Sequence, residues 1–122
     1  MDIAGKAVKA MQSAFGCDPG TVQAAIGPNI GFCCFETDAE VPTAMLKTFG
    51  EAVEKDIRPA GDKHYVNLKE INRHALCRAG VRHVDMSTDC TACSHDRFWS
   101  HRITRGLRGS QGAIIVCKER EI

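Results

Sequence analysis

The residues most able to do chemistry in this sequence are cysteines. Cys33 and Cys34 are adjacent in a glycine-rich stretch, and Cys90 and Cys93 are separated by two residues. Thiolates at that two-residue spacing can reach one zinc ion, with His95 or Cys33 completing the set. A single spaced pair is a weak signal, and adjacent cysteines point apart and seldom ligate one ion together. Unligated thiols are therefore the favoured interpretation, with zinc as the alternative.

A second candidate group consists of arginines in the polar segment that follows the second cysteine pair. Arg102 and Arg108 lie close in sequence to Ser100, His101 and Gly109. The planar guanidinium suits phosphate or carboxylate, and glycine lets backbone N–H groups approach an anion closely. The segment therefore predicts an anion-binding loop. The alternative is a solvated loop whose arginines pair with acids, and composition alone leaves both open.

The histidines add little to these candidates. They are scattered along the chain, and only His101, beside Arg102, is placed for function. No acid, base and nucleophile set with a recognisable spacing is present. We therefore predict no catalytic residue from the sequence.

Composition restricts the class of protein. The chain has 122 residues and a net charge of +1, with 43% hydrophobic and 25% charged residues. This predicts a single globular domain over residues 1–122, and the weak charge argues against nucleic acid as a partner. The apolar runs are too short for a membrane span, and the amino terminus does not resemble a signal peptide. We expect a cytoplasmic protein, in which the seven cysteines stay reduced.

The elements that would position these groups begin with a helix and a strand. Ile3, Met11 and Phe15 belong to an apolar stripe with a spacing of four, which predicts a helix that faces a core and stops at Gly16. Residues 22–26 alternate as a short strand that leads into the glycine-rich loop.

A second helix is predicted over residues 41–53. Asp38 is its candidate cap, Pro42 falls in its first turn, and Gly50 weakens the helix without ending it. Residues 59–62 contain proline and glycine and are predicted to form a loop.

The third helix has the clearest signals. Asn67 followed by Glu70 resembles a capping box, and Gly80 closes the apolar stripe. Residues 81–86 are then predicted as a strand, and residues 113–117, apolar on both faces, as a fully buried one. This order of elements predicts an α+β fold with mixed α and β layers.

Several motifs occur in a fixed order along almost the whole chain: Gly27-Pro28-x-Ile30-Gly31-x-Cys33-Cys34-Phe35-Glu36, Asn67-Leu68-x-x-x-Asn72-Arg73, Cys90-Thr91, Phe98-Trp99-Ser100-His101-Arg102 and Arg108-Gly109-Ser110. This ordered set resembles the YfiH-like family. Its members were long described as laccase-domain or polyphenol oxidase proteins and are now described as purine nucleoside phosphorylases with adenosine deaminase and methylthioadenosine phosphorylase activity.

The resemblance implies a YfiH-like fold that is incomplete in this chain. The family carries a zinc or copper site of His, Cys and His in its amino-terminal half, the last in a His-Ala-Gly-Trp-Arg-Gly stretch ahead of the first shared helix. None of these ligands is in the sequence. The chain therefore resembles the carboxyl-terminal half of a member, and we transfer no metal ligand to it. Such a half is expected to need the missing part or to self-associate.

The resemblance also implies substrates and the residues that contact them. Purine nucleoside and phosphate are the expected partners, and Cys34, Ser100, Arg102 and Arg108 are the expected substrate-binding residues. The alternative from another class is a small non-catalytic zinc or interaction module that uses Cys90 and Cys93 with a nearby cysteine or histidine. A third interpretation is a degenerate product without activity.

Overall fold

The computed structural model describes residues 1–119. None of the helices in that range combines the length and apolar character needed to cross a bilayer. Short 3₁₀ segments cover Pro19–Thr21 and Gly50–Asp56. The helices and strands, in chain order, are α1 (Ile3–Phe15), β1 (Gln23–Ile26), β2 (Glu36–Thr37), α2 (Glu40–Phe49), β3 (Ile57–Ala60), β4 (Lys63–Val66), α3 (Leu68–Arg78), β5 (His83–Met86) and α4 (His101–Thr104).

The strands form two small sheets. Strands β1 and β5 pair in parallel, with Gln23 opposite His83 and Ile26 opposite Met86. Strands β2, β4 and β3 form an antiparallel sheet with β4 in the centre. Because the carboxyl ends of parallel strands meet at one edge, the segments that leave β1 and β5 begin side by side.

The core lies between α2, the following 3₁₀ segment, β4 and α3. Ile71, Val53 and Val66 are fully buried, and Phe49 and Met45 pack around them. The buried positions coincide with the predicted apolar stripes of α2 and α3. The prediction of which faces of these two helices are buried is therefore confirmed.

Helix α1 is confirmed, but its buried face is not the predicted one. Gly16 ends the helix with a left-handed φ of 66°, as predicted, and the Asp2 carboxylate accepts a hydrogen bond from the Gly5 N–H at 2.8 Å. Val8 is buried, whereas Ile3 and Phe15 are 75% and 81% exposed. The helix packs on α3 through the side that carries Gly5 and Val8. No described element covers the predicted apolar stripe, whose residues are four positions apart.

Helix α2 is shorter than predicted. It ends at Phe49, because Gly50 adopts a φ of 67° that favours glycine, and a 3₁₀ segment carries the chain onward. Val53 is still fully buried from that segment. Asp38 is not the cap, since its carboxylate pairs with the Lys63 ammonium, and the N-cap position is Ala39, which makes no side-chain bond.

The predicted loop over residues 59–62 is instead the end of a hairpin. Pro59 and Ala60 belong to β3, pair with His64 and Lys63 of β4, and leave only a two-residue turn in which Gly61 has a φ of 63°. Proline is tolerated there because β3 is an edge strand. Helix α3 and strand β5 lie where they were predicted, with the Asn67 side chain accepting the Glu70 N–H at 3.4 Å.

The predicted buried strand over residues 113–117 is wrong. These residues form no strand, and Ile114, Ile115 and Val116 are 98%, 80% and 80% exposed. A strand that is apolar on both faces needs hydrogen-bonding neighbours and covering layers, and none of the elements described in residues 1–119 supplies them here.

Exposed apolar side chains on this segment predict self-association of the chain. Patches of several hundred Å² of apolar surface mark interfaces or aggregation sites, so we expect concentration-dependent oligomers in sedimentation velocity and strong binding of a hydrophobic dye. Replacing Ile114 and Ile115 together with serine should reduce both signals. A wild-type chain that stays monomeric and binds no dye would contradict the prediction.

Candidate functional site

The candidate site lies where the segments after β1 and β5 meet. The Ser87 N–H donates to the Ile26 carbonyl at 2.8 Å, and the Thr91 N–H donates to the Asn29 carbonyl at 3.0 Å. Asn29 and Cys90 also form a parallel bridge. The Lys69 ammonium of α3 holds the second segment through the carbonyls of Ser87 and Asp89, both at 2.7 Å. Backbone pairing therefore continues past the ends of the strands and brings the two motifs together.

A cavity of about 340 Å³ opens beside this junction. That volume is in the range of small-molecule sites, about 300–1,000 Å³. Three of the four predicted substrate-binding residues line it, and Cys34 does not. The side chains that matter for chemistry are Phe35, Thr91, Trp99, Ser100, Arg102 and Arg108.

Helix α4 presents the polar wall of the cavity. Ser100, which is 5% exposed, caps the helix by accepting the Ile103 N–H at 3.4 Å. This cap places His101 and Arg102 in the first turn, and both line the cavity. The helix has four residues, so the side chains rather than its dipole determine the polarity of this wall.

The two cavity arginines are oriented by neutral groups. Arg102 donates from Nη1 to the Glu36 carbonyl at 2.8 Å, and its guanidinium lies 5.7 Å from the Phe35 ring centroid. Arg108 donates from Nε to Nδ1 of His101 at 3.3 Å and from Nη1 to the Gly109 carbonyl at 3.1 Å. Because Nδ1 of His101 accepts, a neutral ring carries its proton on Nε2.

Within residues 1–119, neither cavity arginine forms an ion pair with a carboxylate. The ion pairs of that range involve other cations, for example Arg97 with Asp89 at 2.8 Å. The alternative of a solvated loop with paired arginines therefore describes Arg97 but not Arg102 or Arg108. Arg102 and Arg108 are both solvent-exposed, and their guanidinium groups are available to an anion in the cavity.

Trp99 forms the apolar side of the cavity, and Gly109 faces its indole ring. A Cβ on Gly109 would lie 2.9 Å from Cε2 and Nε1 of the Trp99 indole, so a larger residue there would have to displace the indole. Gln111 donates to the Trp99 carbonyl at 3.2 Å. The indole is 51% exposed and offers a flat surface on which a ring could stack.

Cys34 lies outside the cavity, in a cluster of four cysteines at the junction of the two segments. Its Sγ is 3.5 Å from that of Cys93, and the Cys33 and Cys93 sulfurs are also 3.5 Å apart. With Cys90 added, all four sulfurs lie within 4.8 Å of one another. Cys90 Sγ accepts backbone N–H bonds from Gly31 at 3.1 Å and from Cys93 at 3.4 Å.

The cluster gives its thiols different acidities. Burial opposes ionisation of Cys90, but the N–H groups of Cys93 and Gly31 stabilise its thiolate and lower its pKa to about 6. Burial raises the pKa of Cys33 and Cys34, and hydrogen bonding to Cys93 acts in the same direction. Cys90 is therefore more acidic than Cys33 and Cys34.

The expectation that Cys33 and Cys34 point apart is wrong for this chain. The Cys34 and Phe35 N–H groups both donate to the Gly31 carbonyl, at 3.1 and 3.0 Å, and so close a tight turn. Side chains on such a turn diverge less than on a strand, and both sulfurs reach Cys93. The sequence contains two cysteine pairs, each in the segment after a predicted strand. Only the parallel pairing of β1 and β5 shows that the two pairs lie together.

The comparison with known families decides the family of this chain. The multi-copper polyphenol oxidoreductase laccase family matches residues 1–118. The chain belongs to this family. The YfiH-like resemblance deduced from the ordered motifs is thereby confirmed.

Curated proteins similar to this chain carry enzymatic names. The purine nucleoside phosphorylase YlmD of Geobacillus stearothermophilus is 36% identical over 120 residues, which are 96% of this chain and 44% of that protein. The adenosine deaminase RL5 of an unknown prokaryotic organism is 37% identical over 84 residues, or 66% of this chain and 32% of that protein. This chain spans less than half the length of the curated relatives that it matches.

The crystal structure of YlmD from Geobacillus stearothermophilus superimposes with a TM-score of 0.83 at 35% identity. The match covers 88% of this chain and 41% of that one. The predicted α+β, YfiH-like fold is therefore confirmed.

The metal that the family resemblance implies does not fit the residues described here. In residues 1–119 the candidate metal-binding group consists of cysteines alone. His101 is engaged with Arg108, and His95 Nδ1 lies 3.0 Å from the Ala92 carbonyl, outside the cysteine cluster. These residues do not form a site of two histidines and one cysteine.

Proposed function

We propose that this chain forms the phosphate- and purine-binding part of a purine nucleoside phosphorylase site. The observation that carries the proposal is a cavity with two guanidinium groups and no carboxylate partner for either within residues 1–119. The relatives' names supply the substrate class, since YlmD is named a purine nucleoside phosphorylase. Phosphorolysis needs phosphate and a nucleoside held against each other, and this cavity has a cationic and an aromatic wall.

Arg102 and Arg108 would bind the phosphate. Arginine presents a planar fork to phosphate oxygens, and hydrogen bonds to charged groups contribute about 1.5–3 kcal/mol each. Their present acceptors are backbone carbonyls and one imidazole nitrogen, which leave guanidinium donors for a ligand. Bonds to these neutral groups fix the orientation of both side chains without cancelling their charge.

Trp99 and Phe35 would bind the purine. Both line the cavity, Phe35 half-buried and Trp99 half-exposed. Stacking of a base on an aromatic ring contributes about 1–3 kcal/mol. The Ser100 hydroxyl already accepts the Ile103 N–H, and its proton remains available to a substrate oxygen or nitrogen. Cys34 lies in the cysteine cluster and would affect the site through the adjacent Phe35.

Deamination of adenosine is the second activity to be tested, because the RL5 relative is named an adenosine deaminase. The two reactions differ in the group that attacks. Phosphate displaces the purine from C1′ of the ribose and releases free base, whereas water replaces the 6-amino group and releases ammonia. Adenosine assays with and without phosphate separate phosphate-dependent adenine from phosphate-independent inosine.

The proposed function also implies binding partners and a cellular location for the chain. Purine nucleoside and phosphate are the partners, and nucleic acid and membrane are not expected ones. A companion surface, from the rest of a longer polypeptide or from a second copy, would cover the exposed residues 114–116. A cytoplasmic location, as the sequence predicts, would keep the cysteines reduced.

Loss of either cavity arginine is expected to weaken phosphate binding. Removing one charged hydrogen-bonding partner should raise the dissociation constant for inorganic phosphate by roughly 10- to 150-fold, measured by isothermal titration of Arg102→Ala and Arg108→Ala. Arg97→Ala is the matched control, since it removes the same charge from an arginine that is paired with Asp89. Equal affinities in all three variants would overturn the proposal.

A further inference from the structure

We propose that Cys33, Cys34, Cys90 and Cys93 together bind one zinc ion in a closed, structural site. The proposal goes beyond the phosphorylase function, because four thiolates leave no open position for a substrate. It also differs from a free-standing zinc module, since the residues that directly follow Cys34 and Cys90 line a ligand cavity.

The sulfur positions already approach those of a tetrathiolate site. Zinc–sulfur bonds of about 2.3 Å in a tetrahedron place the sulfurs about 3.8 Å apart. Two of the pairs here are 3.5 Å apart, and the whole set lies within 4.8 Å. Metal binding would therefore require side-chain shifts of less than about 1 Å and no rearrangement of the backbone.

The backbone around the cluster is built to hold it. One half is the turn closed by the Gly31 carbonyl, and the other is the turn closed by the Ser94 N–H, which donates to the Cys90 carbonyl at 2.9 Å. The N–H groups of Gly31 and Cys93 point at Cys90 Sγ. Hydrogen bonds to ligand atoms of this kind orient metal ligands and adjust their strength.

The donor set favours a thiophilic metal, of which zinc is the one that needs no redox chemistry. Four soft thiolates in a tetrahedral arrangement suit zinc or iron and exclude magnesium and calcium, which take oxygen ligands. A disulfide is a weaker explanation of the geometry, because one bond would join only two sulfurs and leave the other two thiols crowded together. A shared cation accounts for all four at once.

The consequence of zinc binding would be a fixed cavity wall. Phe35 directly follows Cys34, and Thr91 directly follows Cys90, and both residues line the cavity. A single ion would thus tie the segment after β1 to the segment after β5 at the point where their side chains meet the ligand.

The first experiment uses the whole chain, purified under reducing, metal-free conditions and titrated with zinc alone. We expect one zinc per chain, a higher melting temperature, and an X-ray absorption spectrum with four sulfur neighbours at about 2.3 Å. Cobalt in place of zinc should give the absorption of a tetrahedral thiolate complex. A first shell that contains nitrogen or oxygen, or no stoichiometric binding, would overturn the proposal.

The second experiment compares variants. Cys34→Ser and Cys93→Ser should each abolish stoichiometric zinc binding, whereas Cys77→Ser, which changes an exposed cysteine on α3, should bind as the wild type does. The absorption spectrum of the wild type keeps the test valid if a variant fails to fold. Retention of one zinc by a folded Cys93→Ser chain, or a native disulfide that survives reductant in place of metal, would refute the site.

Discussion

Replacing Ile71 with alanine is expected to lower the free energy of unfolding by about 2–5 kcal/mol. Ile71 is 2% exposed and packs in the cluster with Val53 and Val66, so truncation removes buried methyl groups and leaves a cavity. Domains of this size have a total stability of only about 5–15 kcal/mol. The loss should appear as a lower midpoint in urea unfolding with an unchanged slope.

Ile3→Ala is the matched control for this substitution. It makes the same chemical change in a helix, but Ile3 is 75% exposed, and exposed substitutions usually stay within about 0.5 kcal/mol. Equal effects at the two positions would show that the core does not lie between α2, β4 and α3.

Gly31→Ala is expected to weaken zinc binding by about 10- to 100-fold, the range seen when groups around a metal ligand are disturbed. A Cβ at this position would lie 3.1 Å from Cys90 Cβ and 3.2 Å from Cys33 Sγ. Both contacts are tight, and the same substitution would strain the N–H bond to Cys90 Sγ. Competition with a chromophoric chelator would measure the change.

Gly27→Ala provides the comparison for Gly31→Ala. It lies in the same glycine-rich stretch, and a Cβ there would meet nothing within 4 Å. Its zinc affinity should match that of the wild type. If both glycine variants bind zinc normally, the tight packing of the cluster around Gly31 does not matter for the metal.

Local signals predicted much of the fold. The caps of α1 and α3 depend on residues three positions apart, Asp2 with Gly5 and Asn67 with Glu70, so a short sequence window contains the information. The Asn67 cap was predicted and the Asp2 cap was not. The end of α2 was misjudged because the apolar spacing continues to Val53, which is buried from the 3₁₀ segment that follows Gly50 and not from the helix.

The site was harder to predict because it is assembled across the chain. Arg102 and Arg108 were singled out from their residue type, but only the structure shows that no carboxylate in residues 1–119 pairs with them. Cys33 and Cys93 are 60 residues apart and meet because β1 and β5 are parallel neighbours. The residue spacing within a single motif cannot predict which strands are neighbours in a sheet.

The strand predicted over residues 113–117 shows that an apolar sequence pattern can also predict an element that does not form. Its apolar pattern is real, yet Ile114 and Ile115 are 98% and 80% exposed, because hydrophobicity indicates a need for burial and not the presence of a partner.

A crystal structure of the chain grown with phosphate and adenosine tests the central claim most directly. The account predicts phosphate within hydrogen-bonding distance of the Arg102 and Arg108 guanidinium groups, and the purine ring against Trp99. An empty cavity in crystals that hold phosphate and adenosine at another place on the chain would contradict it.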